Sequence, residues 1–186
     1  AGFSNINIDL MFAIPGQSYE GWIQNLRTVA KLGPEHISAY SLIIEEGTPF
    51  SARKLDLPDE DTEYRMYEDV AAVLGKYGYY QYEISNYAKK DRNCRHNEGY
   101  WHRKDYLGLG LGAASLVGRE RFTNTSDMSE YLENSGNLEK IRTDRETLTR
   151  EDEMGEFMFL GLRMTKGVSK KDFQEYFGTS IEKIYG

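Results

Sequence analysis

The stretch "NINIDLMFAI", residues 5 to 14, constrains the fold most. Ile6, Ile8, Leu10, Phe12 and Ile14 share one parity while Asn5, Asn7 and Asp9 share the other, the period of two that a strand with one oily face requires. "PGQS" follows as a turn, and Ser18 stands where it can cap the helix "YEGWIQNLRTVAKL", in which Trp22, Ile23, Leu26, Val29 and Ala30 form one apolar stripe. Gly33 and Pro34 end that helix.

The alternation continues. "HISAYSLII" reads as a second strand, an acidic loop follows, and a helix is expected from about Thr62 to Leu74 with Tyr64, Tyr67, Val70, Ala71 and Leu74 aligned. "YGYYQYEI" reads as a third strand. Strand, helix, strand, helix, strand is the rhythm of right-handed parallel crossovers, so the fold class is α/β and this segment is part of a sheet or barrel. From about Thr147 the period turns helical. Thr149 with Asp152 and Ser169 with Asp172 are two capping pairs, Met154, Phe157, Met158 and Gly161 trace one face, and Gly178 ends the second helix. The expected division is therefore 1–140 and a small helical domain, cut short, over 141–186.

Composition narrows the function. A chain of 186 residues with 39% hydrophobic content buries a sizeable core. No run approaches the roughly 20 apolar residues of a membrane helix, and "AGFSNINIDL" lacks the pattern of a signal peptide, so a cytoplasmic location is expected. Cys94 is the only cysteine, which excludes an intrachain disulfide and the thiolate set of a zinc ribbon or an iron–sulfur cluster. The net charge of −7 argues against nucleic acid or an anionic membrane as a direct partner. The terminal helix pair is too poor in basic residues to read DNA.

Several residues could carry chemistry. Alternation turns Asp9, with Asn5 and Asn7, away from the oily face, where the carboxylate either binds a ligand or bonds a neighbouring strand. "LGLGLGAAS", residues 107 to 115, meets a relaxed dinucleotide-binding pattern, but no strand–turn–helix unit surrounds it, and tight backbone packing or a turn is the expectation. "CRHNEGYW", residues 94 to 101, reads as a polar loop, mobile without a ligand to order it, and combines His96, able to ligate a metal, with Tyr100 and Trp101, whose faces suit a flat aromatic ligand. A backbone hydrogen bond is the commoner use of a lone histidine. Cys94 is either a soft ligand or a small buried side chain. His36 and His102 lack comparable company.

Taken together, "INIDLMFAIPGQ", "GPEHISAYSLIIEEGTPF", "YEISNYAKK", "CRHNEGYW", "DYLGLGLGAAS" and "LTREDEMGEFMFLGLRM" resemble, in order and over essentially the whole chain, the HemN/HemW family of radical S-adenosylmethionine proteins. The resemblance implies the later part of a partial (β/α) barrel followed by a helical C-terminal domain. The family's two branches are an oxygen-independent coproporphyrinogen III oxidase and a haem-binding chaperone. "HNEGYW" matches the HNxxYW signature of the chaperone branch, which implies His96, Asn97, Tyr100 and Trp101 as haem contacts and His96 as the axial ligand of the haem iron. Asp9 aligns with the aspartate of the family's "DLIYGLPGQ" segment, which contacts S-adenosylmethionine, and further backbone contacts fall near Ile43 and Ala114. The family's 4Fe–4S cluster sits on a CxxxCxxC loop that this sequence lacks, so the chain is expected to be the later half of a longer protein, inactive by itself. Ala13 and Ile14 replace the usual glycine and leucine and bear on the turn after Asp9. The implied partners are haem and a haem-accepting or respiratory protein, with any membrane association made through that partner. The alternatives are a porphyrin-forming oxidase and, from another class, a docking module.

Overall fold

In the computed structural model, which describes residues 2–186, the alternation becomes strand β1 (Asn7–Phe12), with Ile8, Leu10 and Phe12 the more buried and Asn7, Asp9 and Met11 exposed. The chain forms two compact units, the first ending at Cys94 and the second starting at Arg95.

In the first unit, helix α1 (Tyr19–Leu32) begins where Gly21 N–H donates to Ser18 Oγ at 3.1 Å and ends at Gly33 in the left-handed conformation, as its capping residues predict. Trp22, Ile23, Leu26 and Ala30 are its buried stripe. Strand β2 (His36–Ser41) lies parallel to β1, with Asp9 opposite Ser38. Helix α2 (Glu60–Gly75) starts at the cap Asp59.

The buried line of α2 differs from the expected one. Met66, Val70, Val73 and Leu74 are buried, Tyr67 packs at the core's margin, and Tyr64 and Ala71 are exposed. Trp22 sets this rotation: its indole N–H donates to the Met66 carbonyl at 2.9 Å, and its ring packs on Phe12 with centroids 5.2 Å apart. The aliphatic line of α2 therefore meets α1, which leaves the Tyr64 hydroxyl in water.

The third expected strand also needs correction. It is two strands, β3 (Tyr80–Glu83) and β4 (Asn86–Ala88), joined by a tight turn, and β4 lies between β3 and β2, antiparallel to both. The order β1-β2-β4-β3 leaves β3 running with β2, as a crossover demands, but one place out. Glu83 closes the turn, its Oε1 accepting from Ser85 N–H at 2.9 Å and from the Asn86 amide.

The second unit opens with α3 (Arg95–Trp101), so residues 95 to 101 are helical where a mobile polar loop was expected. Backbone bonds from His102 N–H to Glu98 and from Arg103 N–H to Tyr100 close its last turn, which a stretch free of proline permits. Strands β5 (Ala114–Val117), β6 (Glu120–Asn124) and β7 (Arg142–Thr147) form an antiparallel sheet that the sequence reading did not foresee. Helices α4 (Met128–Glu133) and α5 (Leu138–Ile141) fill the connection before β7. The glycine-rich segment packs tightly as expected: a Cβ on Gly108 would stand 2.2 Å from the Ala114 carbonyl oxygen.

Helix α6 (Arg150–Gly161) carries the expected capping box, with Thr149 N–H donating to Asp152 Oδ2 at 2.8 Å and Asp152 N–H to Thr149 Oγ1 at 3.2 Å. Helices α7 (Lys170–Phe177) and α8 (Ile181–Tyr185) follow. Met154, Phe173 and Phe177 form their core with Phe157 and Met158. Elsewhere in this unit Glu156 is buried between two arginines, accepting from Arg103 Nε at 2.7 Å and from Arg121. Among the described residues, no helix is long and apolar enough to cross a membrane.

Ala13, where the family usually has glycine, is buried and left-handed at φ 55°. Ala13→Gly removes about 1 kcal/mol of strain and one buried methyl of about 0.8 kcal/mol, so urea denaturation should show little change. Ala13→Val, β-branched at a left-handed position, should cost about 2 kcal/mol or more. Glu156→Ala removes the nearest partner of the buried Arg103, leaving it Glu153 at 3.4 Å, and should cost about 3 kcal/mol in the same measurement.

Candidate functional site

Two groups of candidate residues take shape, one in each unit. In the first, the face of β1 opposite the α1–α2 core carries Asn7 and Asp9. Asn7 Nδ2 donates to Asp9 Oδ1 at 2.7 Å. Register places His36 beside Asn7, and the ring bonds Asn7 Oδ1 through Nδ1 at 2.7 Å and Tyr82 Oη through Nε2 at 2.9 Å. Cys94 N–H donates to the same tyrosine oxygen at 3.2 Å, and Ser38 Oγ reaches Asn7 Oδ1 at 3.3 Å.

Donor logic orients the chain. An amide oxygen only accepts, so His36 carries its proton on Nδ1 and its Nε2 accepts from the Tyr82 hydroxyl. The hydrogen bonds then run from Cys94 through Tyr82, His36 and Asn7 to the Asp9 carboxylate. His36 is buried, and burial lowers its pKa, against the weaker opposing pull of Asp9. The neutral ring is what this arrangement uses.

Asp9 is exposed and keeps acceptor capacity, which suits a hydroxyl or amine donor of a ligand. Ile43 lies beyond the end of β2 with its side chain exposed. Ser38 and Tyr82 escaped the sequence reading, which placed Asn7 on the face of Asp9 and set His36 aside as lacking company. Asn7 shares the parity of Asp9, a usable signal, but only the strand register reveals that His36 stands beside it.

In the second unit, α3 carries the histidine signature. His96 is exposed, and its ring meets Tyr100 edge to face at 4.8 Å, with Tyr106 continuing the stack from Tyr100 at 4.8 Å. Trp101, five residues from His96, lies roughly 140° around the helix. The Arg163 guanidinium covers its ring at 4.3 Å. The helix thus brings His96 and Tyr100 together and presents Trp101 on another side, with Asn97 half-buried. Ala114, at the start of β5, is exposed, and its carbonyl is pressed against Gly108.

The residues fit some cofactors and not others. An exposed imidazole beside aromatic rings suits haem, which needs an axial nitrogen and flat apolar contacts. A 4Fe–4S cluster does not fit. Cys94 is the single thiol, and among the described residues no three His, Cys, Asp or Glu side chains gather as a metal site.

The neutral His36 gives a pH prediction. Its folded pKa is lowered, so the unfolded state binds the proton better and the stability contribution is complete above about pH 6.5 and lost as pH falls below it. His102, also lowered chiefly by burial and then by Lys166, acts in the same direction in the second unit. Denaturant midpoints should decline from neutral to mildly acidic pH, and His36→Asn, which keeps a donor toward Asn7, should flatten the decline in the first unit.

Residues 148–186 match the family described as the HemN C-terminal domain. The sequence is 39% identical to the Heme chaperone HemW of Bacillus subtilis over 99% of this chain and 50% of that protein. It is 37% identical to the Heme chaperone HemW of Lactococcus lactis over 100% of this chain and 50% of that protein. The fold is similar to the solved coproporphyrinogen III oxidase (HemN) of Escherichia coli, a radical SAM enzyme, with a TM-score of 0.79 over 96% of this chain and 44% of that one. At 21% identity that likeness establishes the fold alone. The chain spans about half the length of the curated relatives it matches, and over that half it is similar to proteins named Heme chaperone HemW, with a last segment that matches the HemN C-terminal domain.

Proposed function

We propose that this chain belongs to a haem-handling protein of the HemW type, in which α3 receives haem and the polar face of β1 receives S-adenosylmethionine. The observation that carries the reading is α3 itself, which holds the HNxxYW residues on a helix with His96 exposed and braced by Tyr100. Identity of 39% and 37% to proteins named Heme chaperone HemW supports haem over the oxidase reading.

In this proposal His96 supplies the axial nitrogen, Tyr100 holds the imidazole plane, and Trp101 and Asn97 contact the macrocycle or its edge. Bound haem would be cargo rather than a reacting centre. Asp9 accepts hydrogen bonds from S-adenosylmethionine, with a backbone contact at Ile43, and Asn7 and His36 fix the carboxylate's direction. The 4Fe–4S cluster, for which this chain has no ligands, would be held by cysteines in another part of the protein. We place the functional division at residue 140, with barrel and haem helix before it and, over 141–186, strand β7 followed by the terminal helices. A haem-accepting or respiratory protein is the partner, in the cytoplasm or at a membrane through that partner.

Two substitutions test this in the complete protein. His96→Ala should abolish or shift the haem Soret band while leaving S-adenosylmethionine affinity intact. Asp9→Ala should weaken S-adenosylmethionine by about 1–3 kcal/mol in calorimetric titration while leaving the haem spectrum unchanged. Identical haem spectra for wild type and His96→Ala would return the histidine to a structural role. Anaerobic turnover of coproporphyrinogen would favour the oxidase.

A further inference from the structure

Beside α3, within the second unit, lies a pocket of about 270 Å³ of whose lining the haem assignment uses only Trp101. Trp101 and His102 form one wall, Phe157 and Val168 supply apolar surface, and Lys166 and Asp172 stand at its polar side. Its volume is below that of a site for a whole drug-sized ligand, roughly 300–1,000 Å³. It suits one arm of a larger molecule or a small molecule.

The pocket's cation is Lys166, while Trp101 Nε1–H and the Nε of Arg163, whose guanidinium lies over the same indole, are covered by protein atoms and bonded to nothing. Lys166 directs one N–H to His102 Nε2 at 3.4 Å, a contact that requires the imidazole to be neutral at that nitrogen. The ammonium has two further N–H groups. Neither Arg163 nor Lys166 is among the ion pairs of the described residues. Asp172 is the one acid of the wall. The missing component is an acceptor that carries negative charge and an apolar body to lie on Phe157, Val168 and the indole.

We propose that this pocket binds a carboxylate borne on an apolar group, with Lys166 as its charge partner and the Trp101 indole ring as part of its apolar wall. Resting on the haem reading above, the natural source is a propionate arm of a tetrapyrrole seated on α3. A free aromatic or aliphatic acid offers the same chemistry.

The two tryptophans make the test direct. Trp22 is buried in the first unit with its indole N–H bonded to Met66, so in a ¹⁵N-labelled sample of this chain its resonance is an internal reference for that of Trp101. Titration with sodium benzoate should move the Trp101 indole peak saturably and leave Trp22 in place. Lys166→Met, a change at an exposed side chain, should weaken that response roughly tenfold, and Asp172→Asn, which removes the like charge, should strengthen it. A Trp101 peak that ignores benzoate, or a response equal in wild type and Lys166→Met, overturns the proposal.

Zinc protoporphyrin IX and its dimethyl ester then identify the source. Tighter binding of the free acid, lost on Lys166→Met, assigns the pocket to a propionate. Equal binding of acid and ester, with the benzoate response intact, assigns it to a free acid and overturns the propionate source. Failure of both porphyrins to bind while benzoate still acts overturns the haem reading and leaves the carboxylate pocket standing.

Discussion

Glu156 holds the second unit together through charge. From α6 it accepts from Arg103 at 2.7 Å and from Arg121 on β6, and one turn earlier Glu153 reaches Arg103 and Arg119, each at 3.4 Å. Arg103 stands two residues past the end of α3, so one buried carboxylate ties that end, a strand of the sheet and α6 into a single arrangement. Desolvating such ions costs several kcal/mol each unless every partner is in place, which makes the three elements interdependent. Arg103 even adopts a left-handed backbone, φ 51°, to deliver its side chain. The orientation of α3, and with it of His96 and Trp101, depends on this cluster.

The first unit separates two tasks across one sheet. Toward α1 and α2, Phe12, Trp22, Leu26, Ile37, Met66 and Leu74 make an apolar core in which the one buried indole N–H is satisfied by a backbone carbonyl. On the other face, side-chain hydrogen bonds lead from Tyr82 to Asp9 with every donor and acceptor role assigned. The rigid core fixes the register, and the register fixes the polar chain. A one-residue slip would exchange the faces and destroy both at once.

Much of this was legible locally. The parity of residues 6 to 14, the serine and threonine caps and the glycine stops are short-range signals, and Ser18, Gly33, Thr149, Ser169 and Gly178 all act as those signals predict. What escaped depends on pairing between distant segments. Nothing local in "EISNYA" says that β4 returns between β2 and β3, and nothing in "HIS" says that its histidine will stand beside Asn7. The sheet of β5, β6 and β7 was missed because its strands are short, and β7 is polar throughout with no alternation to betray it. "CRHNEGYW" read as a loop because seven residues make less than two full turns, too few for a periodic stripe to declare itself. Family resemblance supplied Ile43 and Ala114, positions whose exposed, unremarkable side chains carry no chemical signal of their own.

Among the described residues, the strand order β1-β2-β4-β3 leaves β1 with a neighbour on one side only. It has no proline or lysine, alternates apolar and polar side chains, and bears a single charge at Asp9, so none of the usual devices that discourage strand addition protects it. Its outer row of N–H and C=O groups is a template for one more strand. Whether that strand comes from the same polypeptide or from a neighbouring copy is a matter of effective concentration. Any strand added there would lie beside the row of residues that carries Asp9.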